Sequence, residues 1–346
     1  STALELRELN PDSKIVIIER GYLPSGASSK NAGFACFGSA TEICEDLSKH
    51  DEETVWETLK MRWEGLSHLR NKFGDESIGY EMNGSWDLIT SNESSIYEQT
   101  KKKLPLLNQK LEEITGENDV YTIDNSISKK FGFKKTTSSF YNKLEGQIDT
   151  GKMNQKFYEL VIQNKIHVLF GINATELLAE GEIQTNYGVL SAAKIAVCVN
   201  GFASELISGE DVIPARAQVL ITKPIPNLHI KGTFHYQMGY YYFRNINNRI
   251  LFGGGRNQDL TNETTMSFGT SEKIKDSLKS ILKEIILPNT AFEIDYYWSG
   301  IMGVGSTKKP IIKKLNNHVY CGVRLGGMGV AIGSLVGKQL AKLIND

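Results

Sequence analysis

The chain has 346 residues, enough for about two domains at roughly 150 residues each. Its hydrophobic content of 40%, charged content of 23% and formal net charge of −1 are those of an ordinary globular protein. With no basic stripe, nucleic acid is excluded as the expected partner. The four cysteines, Cys36, Cys44, Cys198 and Cys321, are scattered and form no CxxC pair, and the six histidines do not cluster with them. Neither a metal site nor a disulfide framework is expected, and a reducing, cytoplasmic setting fits. No apolar run reaches the ~18 residues of a membrane span.

Helical and strand periods alternate along the chain, which predicts an α/β or α+β architecture. Residues 1–9 (STALELREL) read as a helix stopped by Asn10-Pro11-Asp12. Lys14 to Glu19 (KIVIIE) is a short apolar run ending in an acid, the pattern of a buried parallel strand. Gly21 to Gly38 reads as a loop, Glu52 to Phe73 as a long helix, and Ser94 to Thr115 as a helix kinked at Pro105. Asp149 to Asn164 is a helix, His167 to Phe170 a strand, and AAKIAVCVN a further buried strand. From Val219 to Arg256 the pattern is β, with a hairpin tip at Asn247-Asn248. Ser271 to Ile286 is an amphipathic helix, and His318 to Leu343 a strand, a glycine turn and a final helix.

Four segments carry chemistry. Glu19 ends a strand where a dinucleotide-binding βαβ unit places the acid that holds the adenosine ribose. The loop Gly26 to Ser39 (GASSKNAGFACFGS) offers donors in Ser28, Ser29, Lys30 and Asn31, with small residues that allow close approach to a ligand. CVNGFAS, Cys198 to Ser204, runs a strand into a glycine turn. The tail GVRLGGMGVAIGSLVGKQLA presents free amides at a helix start, suited to an electron-rich group.

These segments, in this order, resemble the FAD-dependent D-amino-acid-oxidase-like family, which includes glycine oxidase and sarcosine oxidase. STALELRELNPDSKIVIIER resembles the family's first helix and second strand, and GASSKNAGF its loop beside the flavin. EGQIDTGKM resembles the segment that returns to the cofactor domain, and WSGIMGVGSTKKPII its Trp-x-Gly-x-Arg-Pro segment. The resemblance implies a discontinuous Rossmann-like FAD domain over 1–75, 145–215 and 300–346. It implies a mostly antiparallel substrate domain over 76–144 and 216–299. FAD would be contacted noncovalently by Glu19, Arg20, Ser28, Ser29, Lys30, Asn31, Ala32, Gly33, Ala174, Asn200, Gly201, Gly300, Arg324, Gly326, Gly327, Met328, Gly329 and Val330.

Two departures from the family pattern stand out. The first strand and its GxGxxG turn are expected to precede Ser1. The arginine that binds the substrate carboxylate in amino-acid oxidases falls on Met302, while Arg256 stands where glycine oxidase has an apolar lining residue. Arg256, Arg324, Tyr240 and Met302 are therefore the expected substrate-binding residues. The implied reaction is oxidation of a small amine or amino acid by hydride transfer from carbon to flavin N5, with no obligatory catalytic side chain. The electron acceptor is oxygen, a quinone or a carrier, and a homo-oligomer is left open. Two alternatives remain: a 2-hydroxy-acid dehydrogenase using a base such as His235, or a cofactor-free binding protein if the natural chain starts at Ser1.

Overall fold

The computed structural model describes residues 1–346. Thr2–Leu9 forms the expected first helix and lies along the tail helix Gly329–Asn345, where the Ser1 hydroxyl donates to the Ser334 carbonyl (3.1 Å). Its Leu4 packs with Val161 and Ile166. Val16–Glu19 follows and pairs in parallel with His167–Phe170, so Glu19 sits at the carboxyl end of a parallel strand, as its sequence predicts. A second parallel pair joins Ile195–Val197 to Val319–Val323, which also takes Ile311–Lys314 on its other edge. These two parallel pieces are separate sheets. Free edges belong to both strands of the first pair, Val16–Glu19 and His167–Phe170, and to the outer strands Ile195–Val197 and Ile311–Lys314 of the second sheet; the tail strand Val319–Val323 is paired on both sides.

An eight-stranded sheet forms the other half of the molecule. Its order is Ile294–Val304, Ile213–Thr222, Arg249–Gly254, Tyr241–Ile246, Thr233–Tyr236, Ser85–Thr90, Thr136–Asn142, Tyr121–Ile123. Every neighbouring pair is antiparallel except Thr233–Tyr236 with Ser85–Thr90. Strand alternation divides the side chains between two faces. Leu220, Phe234, Phe243 and Phe252 face one core with Leu278, Leu282 and Ile286. Val219, Leu251, Tyr242 and Trp298 face the other way and pack on Ala32 and Phe34. The second face therefore meets the glycine-rich loop. Asn247 and Asn248, with φ of 47° and 58°, make the expected two-residue hairpin tip.

Two local expectations are corrected. Gly21 to Gly38 is not all loop: Ala27–Lys30 forms a helical turn, and Phe34–Ala35 pairs with Gly146–Gln147. The helix after Ser271 is α-helical only to Ile281; Leu282–Ile286 is a π-helical turn that buries Leu282, Ile285 and Ile286 together. The helix Ser94–Thr115 forms as expected, with Pro105 in its interior. Glu52–Phe73 matches its sequence signals, with Asp51 capping the Thr54 amide (3.0 Å). No helix is long and apolar enough to cross a membrane.

A buried charge cluster ties the first helix to Glu52–Phe73. Glu5, 6% exposed, accepts from the Lys72 ammonium and lies 3.2 Å from His68 Nε2. Burial pushes its carboxyl up, but Lys72 and His68 together hold it below the ordinary value. A depressed folded-state pKa stabilises the protein above the unfolded value and is lost as pH falls through the folded one. Glu5→Gln should therefore lower stability by about 2 kcal/mol at neutral pH. In urea melts that gap from the wild type should close as pH drops below the usual carboxylate range. A gap that stays constant would assign the loss to packing instead.

Candidate active site

The loop after Val16–Glu19 is fixed by its own side chains. Asn31 donates to the Ala27 and Ser28 carbonyls and accepts from the Gly33 amide (2.9 Å) and the Thr150 hydroxyl (2.9 Å). The Ser29 hydroxyl donates to the Pro24 carbonyl (2.8 Å), and the Ser28 carbonyl takes a bond from Asn154 (2.7 Å). Lys30 lies 4.0 Å from the Phe268 ring centroid, and its carbonyl accepts from Trp298 Nε1 (2.9 Å). Arg244, 3% exposed, donates to the Ala32 carbonyl (2.5 Å); burial pulls its pKa down to about 10. Arg244 and Phe268 escaped the sequence reading because each meets the loop only through the fold, while Trp298 heads the WSGIMGVGSTKKPII segment singled out there.

Start, middle and end of the chain converge here. Glu19 accepts from the Gly21 amide with Oε1 (2.8 Å) and leaves Oε2 without a protein partner. Arg20 lies over the Phe202 ring (3.8 Å), beside the turn that begins at Asn200. Ala174 opens the strand that follows Ile172, whose amide donates to the Glu19 carbonyl (3.1 Å). Asn200 Oδ1 accepts from the Leu325 amide (3.0 Å). Gly201 is glycine for a packing reason, since a Cβ there would lie 2.5 Å from the Met302 carbonyl. Gly300 backs onto Lys30, and the Gly326 amide donates to the Gly303 carbonyl (2.9 Å).

The tail turn supplies the test of fit for a flavin. The amides of Gly327, Gly329 and Val330 have no acceptor in the chain, and they stand at the start of the helix Gly329–Asn345 while Met328 caps its first turn. Such a donor set, at the positive end of a helix dipole, suits the electron-rich edge of a reduced flavin. Glu19, with one free carboxylate oxygen, suits a ribose. The residues present fit FAD.

A family model described as FAD dependent oxidoreductase matches residues 1–343. The chain belongs to that family. It is an FAD-dependent oxidoreductase, which sets aside the cofactor-free reading. It is 20% identical to gamma-glutamylputrescine oxidoreductase of Escherichia coli over 365 residues, covering 99% of this chain and 80% of that protein. Its fold is similar to that of glycine oxidase from Geobacillus kaustophilus, with a TM-score of 0.78 at 16% identity, covering 99% of this chain and 91% of the other. It is similar also to L-proline dehydrogenase from P. horikoshii, with a TM-score of 0.76 at 15% identity, covering 99% and 90%.

In this FAD-dependent oxidoreductase the residues expected to bind substrate gather at one end of the large sheet. Gly253 and Trp298 both pair with Val219, from opposite sides. Their strands run in the same direction, so Arg256 and Met302 both lie beyond that level at the same end. Tyr240 joins them, because its carbonyl accepts from the Gly255 amide (3.0 Å). Gly254 requires glycine at this point, with φ of 118° and only 2.0 Å between an added Cβ and the Tyr240 carbonyl. Gly327 closes the group, 3.7 Å from the Met302 sulfur when a Cβ is built on it.

The charged candidates differ sharply. Arg324 is committed inside the chain: it donates to Asp211 Oδ2 (2.6 Å), the Lys309 carbonyl (2.9 Å) and the Thr307 hydroxyl (3.1 Å). Arg256, of nine arginines, is the one whose side chain makes no hydrogen bond or ion pair. Its Nε is buried without a partner, and burial lowers its pKa from the ordinary arginine value. His235 is 7% exposed and sealed edge-on against Phe34; burial holds it down to about 4, so it is uncharged.

Proposed function

We propose that this enzyme oxidises the C–N bond of a small amino acid, or of another amine that carries a carboxylate. The observation that carries this reading is the unpartnered Arg256 beside Tyr240 and Met302. A half-buried guanidinium without an acceptor is costly, and a ligand carboxylate is the group that relieves it. FAD, when bound, supplies the acceptor for the two electrons and the hydrogen removed from carbon.

The protein's own share is position and electrostatics. Arg256 presents two parallel N–H donors that can hold a carboxylate in one orientation. Tyr240 adds a hydroxyl at the same end of the sheet, and Met302 an apolar wall where an arginine would otherwise compete for the anion. The Gly327, Gly329 and Val330 amides bind negative charge at the turn. The amine nitrogen loses a proton to solvent, and the imine formed is hydrolysed by water. The relatives support this chemistry by name, one being a glycine oxidase and another an L-proline dehydrogenase.

The test is anaerobic mixing of the FAD-loaded enzyme with matched substrates, read as bleaching of the flavin band. Amino acids should bleach it faster than the amines made by removing their carboxylates. Bleaching by 2-hydroxy acids alone would overturn the C–N assignment.

A further inference from the structure

In the register row of Tyr242 and Gly253, a second set of reactive side chains is sealed behind the strand Phe34–Ala35. A Cys36 sulfur, a Glu145 carboxylate oxygen and a His235 ring nitrogen lie within 4.8 Å of one another. The three residues are 1%, 0% and 7% exposed. They come from three separate stretches of chain. Cys36 follows the cofactor loop, Glu145 precedes the strand Gly146–Gln147, and His235 stands on the large sheet. Their sequence separation hides the group from any spacing rule for metal ligands, which is why the sequence predicts no site.

The polar atoms here are incompletely used. Glu145 Oε1 accepts from the Phe37 (2.7 Å) and Gly38 (2.9 Å) amides, while Oε2 is buried without a partner. His235 Nε2 is likewise buried and unpartnered. Cys36 has only long contacts, 3.6 Å to the Thr233 hydroxyl and 3.7 Å to the Gly146 carbonyl. Asp87 is the register partner of His235 on the neighbouring strand. Its Oδ2 takes the Thr41 amide and hydroxyl, and its Oδ1 is also left unpartnered. Buried polar atoms are rarely left without partners in folded proteins, so several in one place call for an occupant.

The nearby cations do not supply it. Lys308 is held by Glu42 (2.6 Å) and Asp46 (2.8 Å), and Arg62 by the Phe37 carbonyl (3.0 Å). A thiolate, an imidazole and a carboxylate together form a ligand set that suits zinc and its near neighbours, and disfavours magnesium and calcium. We propose that Cys36, Glu145 and His235 bind one divalent ion of the zinc class in a buried structural site. Asp87 is not in the set whose ligand atoms lie mutually within 4.8 Å, so these three side chains are the protein ligands proposed, with a water taking the fourth position. The ion would pin the large sheet to the segment just after Asn31 and Gly33, and so hold the cofactor loop against the substrate half. On binding, the Cys36 proton leaves to solvent and no redox step occurs.

The experiment uses the full-length, flavin-loaded enzyme expressed with zinc in the medium. Elemental analysis should find about one zinc per chain, and X-ray absorption at the zinc edge should show one sulfur neighbour with nitrogen and oxygen. Cys36→Ser should lower zinc content at least about tenfold, whereas Cys198→Ser, at an exposed cysteine, should leave it unchanged. If Cys36→Ser does not fold, the sulfur neighbour in the wild-type spectrum decides alone. Zinc-free protein at full flavin content, or zinc without a sulfur neighbour, overturns the proposal. In that case Glu145 and His235 share a proton or a buried water instead.

Discussion

Arg256→Met lowers kcat/KM for a carboxylate-bearing amine by about 100-fold, the loss expected when a desolvated charge pair of 2–3 kcal/mol is removed from the transition state. The same substitution leaves kcat/KM for the matching amine without a carboxylate nearly unchanged, because no ligand group then needs the guanidinium. The swap Arg256→Met with Met302→Arg sharpens the test. Both positions stand at the same end of the sheet: Met302 lies on the strand Ile294–Val304, and Arg256 opens the short helical turn Arg256–Gln258 that follows Arg249–Gly254, rather than lying on the strand itself. An arginine at 302 would meet the same carboxylate from the strand on the other side, and part of the lost activity should return. Steady-state kinetics on the wild type, the single variants and the double variant give the answer. Equal losses on both substrates in Arg256→Met would mean that Arg256 shapes the site without reading the carboxylate.

Much of this site is legible in the sequence, and the limits have physical causes. KIVIIE reads as a strand closed by an acid, and a parallel strand forms there, but the expected burial does not: Val16 is exposed and Ile17, Ile18 and Glu19 are only half-buried, because the strand has a single partner, His167–Phe170. The side chains of Ser29 and Asn31 read in the sequence as donors to a ligand, whereas the structure uses them on the loop's own carbonyls, at Pro24 and Gly26 and at Ala27 and Ser28. The tail turn is legible because glycines before an apolar helix expose amides. What the sequence hides is partnership across the fold. Nothing local in GGGRNQ separates Arg256, without a partner, from Arg324, which Asp211 and Thr307 hold. Nor does it show that Arg244 would be buried beneath the Ala32 carbonyl. The helical turn at Ala27–Lys30 was hidden by residues that favour turns as readily as helix starts. The π-helical turn at Leu282–Ile286 departs from the helical period by one residue, which a periodic pattern absorbs unseen.

The fate of Glu263 decides why Arg256 is free. Glu263 is fully buried, and its carboxylate grips Arg216 in a fork, Oε1 to Nη2 (2.8 Å) and Oε2 to Nε (3.0 Å). Gln218 adds a third bond to Oε1 (2.8 Å). Arg216 and Gln218 are alternate residues on one strand, so they reach Glu263 from the same face of the sheet. The nearest carboxylate able to compensate Arg256 is thus already satisfied, and Arg256 gains only a weak long-range benefit from it. Glu263→Ala should destabilise the protein by about 3–5 kcal/mol, since it strands the Arg216 guanidinium in a mostly buried place. Arg256→Met should cost little stability, because it removes no bond. Urea unfolding of the single and paired variants measures the coupling. Glu263 and Arg216 should couple strongly, while Glu263 and Arg256 should add independently to within about 0.5 kcal/mol. Strong coupling of Glu263 to Arg256 would make that arginine a structural partner of the sheet, and the carboxylate of the substrate would have to be read elsewhere.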